Sequence, residues 1–68
     1  MLFSVEVRCR AEELVAVMSR MREWLDARRF EPDTFRDTLD GESVTFLVQF
    51  KIESEAAAFA QAFAGQLS

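Results

Sequence analysis

Asp40-Gly41 is the feature that most narrows what this chain can fold into. An Asp-Gly pair between alternating apolar and polar residues marks a two-residue β-hairpin turn, in which glycine supplies a positive φ that other residues resist. After it, Val44, Phe46, Val48, Phe50 and Ile52 line one face of a long strand, with Ser43, Thr45, Gln49 and Lys51 on the other. Before it, another strand runs near Thr34 to Leu39. With Asp40 and Gly41 as the turn residues, Leu39 falls opposite Glu42, Asp37 opposite Val44 and Phe35 opposite Phe46. A slip by one residue would set Arg36 against Phe46 and Thr38 against Val44, so the apolar pattern and the turn chemistry agree.

The rest of the chain divides by periodicity. From Leu2 to Cys9, Phe3, Val5, Val7 and Cys9 alternate with Ser4, Glu6 and Arg8, as in a half-buried strand. From about Ala11 to Arg29 the step lengthens, and Leu14, Val17, Met18, Met21, Trp24 and Leu25 form one helical stripe. Glu12 and Glu13 begin this helix and Arg28 and Arg29 end it, which suits its dipole. Arg22–Asp26 and Arg20–Glu23 lie within helical pairing distance on the wet side. Pro32 forces Glu31 out of helical geometry, so the helix is expected to stop there. A last helix starts at Ser54 as N-cap, buries Ala56, Phe59, Ala60, Phe63 and Leu67, and ends at Gly65 in a left-handed conformation.

These elements predict a single α+β domain over residues 1–68, in the order βαββα. Each helix has one apolar stripe and each strand one apolar face. The economical assembly is a three-stranded antiparallel sheet of order 1-3-2, the most apolar strand central and both helices on one face. This order resembles a ferredoxin-like fold that lacks its fourth strand, a likeness of topology that implies no function. The stretch Met21-Arg22-Glu23-Trp24-Leu25-Asp26, then Phe30-Glu31-Pro32, Phe35-Arg36 and Ala58-Phe59-Ala60 up to Gly65, is similar to small uncharacterised bacterial proteins. That resemblance implies a bacterial origin and no activity. Abundant Ala, and Arg at all but one of the 8 basic positions, fit a GC-rich genome.

Size and charge limit the functions. A chain of 68 residues is marginal alone and often gains stability from a disulfide, a metal or a partner. Cys9 is the only cysteine and histidine is absent, so neither an intrachain disulfide nor a zinc site is expected, and partnering remains. A net charge of −4 argues against nucleic acid or an anionic membrane surface. No apolar run approaches a membrane span, and no basic segment followed by an apolar one opens the chain, so the expected location is cytoplasmic.

Three residues carry the candidate chemistry, each with a structural alternative. Asp37 is the one charge on the inner face: a carboxylate with a raised pKa, or a guard on an edge strand, or a rim residue reaching solvent. Cys9, between Arg8 and Arg10, is a reactive thiol or core packing. Trp24 is a binding anchor or a cap on the core between the helices. The outer sheet face has no aromatic ring for a base to stack on, and no cofactor is implied.

The function expected is therefore a non-catalytic homo-oligomeric module that binds or regulates a protein partner. The alternative is a small-molecule-binding protein or minor enzyme with a pocket formed on dimerisation. Strand 1 is the expected homodimer edge, because Asp37 and Pro32 discourage pairing along strand 2. An antiparallel pair centred on Val7 would use Phe3, Val5, Glu6, Val7 and Arg8, with Glu6 opposite Arg8 of the second copy. The Ala-rich last helix is an alternative interface.

Overall fold

A computed structural model describes residues 1–67. Strand β1 (Phe3–Arg10) runs through a 3-10 turn (Ala11–Glu13) into helix α1 (Leu14–Arg28). Then follow β2 (Thr34–Asp40), β3 (Ser43–Phe50), α2 (Glu53–Ala62) and a fourth strand, β4 (Gln66–Leu67). The sheet is antiparallel throughout, with the order β2-β3-β1-β4.

The α+β class, the two helices and the antiparallel sheet match the sequence reading; the strand count does not. A three-stranded sheet in a βαββα chain was expected, and four strands in the order βαββαβ are found. The cause lies at the end of α2. Ala64 takes a left-handed φ of 53°, and the Gly65 N–H donates to the Ala60 carbonyl at 2.8 Å, closing the helix with a Schellman-type bond. The chain then turns back against β1. A Cβ on Gly65 would lie 2.8 Å from Val5 Cγ1 and 2.9 Å from both the Glu6 carbonyl oxygen and Val7 Cγ2. Glycine is thus needed for close approach, and the positive φ expected of it belongs to Ala64. Leu67, expected on the α2 stripe, pairs with Val5 in β4, and Gln66 pairs with Glu6.

The hairpin register also differs. Asp40 pairs with Ser43, so the turn residues are Gly41 and Glu42, and Gly41 alone takes a positive φ, of 64°. Glycine at the first central position is the type II′ pattern, which spares Asp40 a left-handed conformation. Leu39 therefore lies opposite Val44, Asp37 opposite Phe46 and Phe35 opposite Val48. The shift from the expected register is two residues, so every side chain keeps its face.

α1 ends earlier than Pro32 requires. Arg29 is left-handed at φ 57°, and the Phe30 and Arg29 N–H groups donate to the Leu25 and Asp26 carbonyls at 3.0 and 3.1 Å. Ile52, expected on the inner face of β3, is the N-cap of α2 in place of Ser54 and is 52% exposed.

One apolar core lies between sheet and helices: Val5, Val7, Val44, Phe46, Val48 and Phe50 below, Val17, Met21 and Leu25 from α1, and Ala56, Phe59 and Ala60 from α2. Among the described residues no buried side chain is polar. Truncating Phe46 to Ala in such a core costs about 3–5 kcal/mol. No described helix is long and apolar enough to cross a membrane.

Candidate functional site

β4 covers only Val5 and Glu6 of β1. Beyond them the outer edge of β1 borders an open groove of about 620 Å³, walled by α1 and the end of α2. Val7, Arg8 and Cys9 line it from the strand, Glu13, Val17, Arg20 and Trp24 from the 3-10 turn and α1, and residues 61–64 from the end of α2. Of the residues singled out from the sequence, the fold thus gathers Val7, Arg8, Cys9 and Trp24. Phe3 packs at the margin of the core, and Val5 and Glu6 are engaged by β4. Glu13 and Arg20 are wall residues that the sequence reading did not select. Their signal was present: they share a helical flank with Trp24, facing the alternating strand that ends at Cys9.

The chemistry of this groove is weak. Burial pushes the Cys9 thiol upward, the Glu13 carboxylate pushes it further, and the Arg20 guanidinium only partly opposes them. A nucleophilic cysteine needs the reverse balance. Trp24 is engaged on several sides. Its ring meets Phe30, Phe59 and Phe63 edge-on at centroid distances of 5.7, 5.6 and 5.9 Å, and the Arg28 guanidinium lies 4.2 Å from its centre. These contacts fit the reading of Trp24 as a cap between the helices.

Asp37 lies elsewhere. It is exposed on β2, and its side chain reaches solvent because no helix covers that half of the strand. None of the described grooves includes it. A second groove, of about 450 Å³, runs between Arg10–Glu12 and Glu42–Ser43, with Arg10 paired to Glu12 at 3.3 Å. The outer sheet face is solvated, with Gln49 Nε2 donating to Ser4 Oγ at 3.0 Å between β3 and β1. Among the described residues no three His, Cys, Asp or Glu side chains come together as a metal site.

The other exposed feature is the flank between α1 and β2. Leu39 is 64% exposed although it points to the helix side of the sheet, and Val15 of α1 is 75% exposed. Val15 lies two turns before Arg22 on one helical stripe, and the Arg22 guanidinium sits 5.1 Å from the centre of the Phe35 ring in β2. That stripe therefore reaches β2 at its Arg22 end and leaves the Val15 end uncovered beside Leu39. The sequence reading missed both residues; Asp37 between Phe35 and Leu39 was the sign that this face is not covered.

No family model matches the chain, and no curated protein or solved structure matches it either.

Proposed function

We propose that this chain is a non-catalytic module that acts by associating with protein surfaces, as a homo-oligomer, in the cytoplasm. The observation that supports this most is the open β2 side, where a strand whose outer edge is unpaired among the described residues carries Leu39, 64% exposed on the helix side of the sheet. Unpaired strand edges with apolar side chains beside them are the usual template for pairing with another chain. The apolar core, and a Cys9 thiol that burial and Glu13 hold away from its reactive form in the groove it shares with Arg20, favour the same reading. We also read the fold as ferredoxin-like from its βαββαβ order, a likeness that carries no activity. Sedimentation from low to high micromolar concentration tests the reading. Reversible self-association is expected; a monomer throughout overturns the homo-oligomer.

A second reading, a small-molecule-binding protein, draws on the groove of about 620 Å³ beside Cys9 and Trp24. A ligand retained in native mass spectrometry, and lost on Trp24→Ala, would favour it.

A further inference from the structure

We infer that two copies of this chain pair antiparallel through their β2 strands, about a two-fold axis at Thr38 and perpendicular to the sheet. This rests on the homo-oligomer reading and names its surface.

The direction of the backbone groups comes first. The Ala11 N–H donates to the Glu42 carbonyl at 2.8 Å, continuing the β1–β3 ladder, so even-numbered residues of β3 bond to β1 and odd-numbered ones to β2. In β2, therefore, Thr34, Arg36, Thr38 and Asp40 face β3. Phe35, Asp37 and Leu39 turn their N–H and C=O groups out to the open edge.

Symmetry then leaves few registers. A two-fold axis perpendicular to the sheet must pass through one residue of β2, set opposite itself. Centred on Phe35, the pairing sets Asp33 opposite Asp37. Centred on Arg36 it opposes two guanidinium groups, and centred on Asp37 two carboxylates. Centred on Leu39 it leaves only Thr38 to Asp40 paired before each strand meets the other copy's hairpin turn, where the Thr38 register pairs Arg36 to Asp40. Centred on Thr38, it places Arg36 opposite Asp40 of the second copy, twice, on the outer face. Asp37 then lies opposite Leu39, and each of these two exchanges both backbone hydrogen bonds with its counterpart. The charges that look like a guard on this edge thus disfavour the neighbouring registers and favour one.

The helix side agrees. This axis keeps the helices of both copies on one side of a continuous sheet. Leu39 shares a row with Val44 and Cys9, at the end of the sheet where α1 begins. The exposed Leu39 and Val15 of the two copies would meet beneath the joined strands. β1 offers less, since β4 occupies Val5 and Glu6.

Sedimentation of the wild type is combined with oxidation of a Cys9→Ser, Thr38→Cys variant. Residues opposed on such an axis have Cα atoms about 4.5 Å apart, within disulfide range. A symmetric disulfide dimer is expected under mild oxidation. It is not expected from Cys9→Ser, Arg36→Cys, whose paired positions are offset by about 13 Å along the strands. Arg36→Asp should weaken the dimer about tenfold, and adding Asp40→Arg should restore it. A wild-type dimer without the Thr38→Cys cross-link overturns this pairing and leaves the homo-oligomer reading in place. A monomeric wild type overturns both.

Discussion

β1 and β2 flank the central strand β3 and meet unequal fates: β1 is the more apolar strand, and β2 carries Arg36, Asp37 and Asp40. Judged by sequence, the apolar strand should have offered the open edge. In the structure it is the one partly closed, by β4 at Val5 and Glu6, with Val5 and Val7 buried under both helices. β2 has neither cover: among the described residues no strand lies beyond it, and from Arg36 to Asp40 it is exposed on both faces. What an edge can do thus depends on where the chain returns and where the helices sit, more than on the strand's own apolarity.

Proline separates the two strands most sharply. The Val7 N–H belongs to the β1–β3 ladder, so Val7→Pro should unfold the protein, at a cost of about 3 kcal/mol or more. The Asp37 N–H faces the open edge, so at concentrations low enough to keep the chain monomeric Asp37→Pro should leave the circular dichroism spectrum and melting temperature nearly unchanged. Equal losses in the two variants would mean that β2 is not a free edge in the folded monomer.

Gly65→Val tests how β1 is closed. Its Cβ would press on β1 at 2.8–2.9 Å, so β4 should detach, with a loss of about 1–3 kcal/mol in denaturant titrations. Amide exchange should then quicken at Glu6, where β4 pairs, and stay unchanged along β2. Unaltered protection at Glu6 would remove β4 from the account.

Ala64→Gly acts in the opposite direction. An alanine held at φ 53° pays a steric cost that glycine avoids, so this variant should be more stable by about 0.5–1 kcal/mol and hold β4 more firmly. A lower melting temperature would count against that turn.

The smallest effect concerns Cys9 at the open end of β1. Because burial and Glu13 raise its pKa in the folded chain, the thiolate is favoured on unfolding. The sign follows: this contribution is complete below the unfolded thiol's pKa and is lost as pH rises through the folded one. Alkaline titration of stability should therefore show a slight decline that Cys9→Ser abolishes. The same decline in that variant would assign it to another group.

Much of this protein could be read from its residues alone. The alternation in β1 and β3 and the stripe of α1 placed Val5, Val7, Phe46, Val48, Met21 and Leu25 in the core, where they are. The meeting of Cys9 and Trp24 in one groove depends on packing between elements distant in sequence, and no local pattern encodes it. The register of β2 against β3 escaped for a plain reason. Strand alternation repeats every two residues, so a shift of two leaves every face unchanged, and only the turn geometry at Gly41 decides. β4 escaped because a two-residue strand has no period to detect. Leu39 lies on the inner face by pattern, yet is exposed because α1 stops short of covering it. Local chemistry determined which way the side chains of β1, α1, β2 and β3 point; only the packing of helices on the sheet, and the return of the chain past Gly65, decided which of those faces and edges are shut.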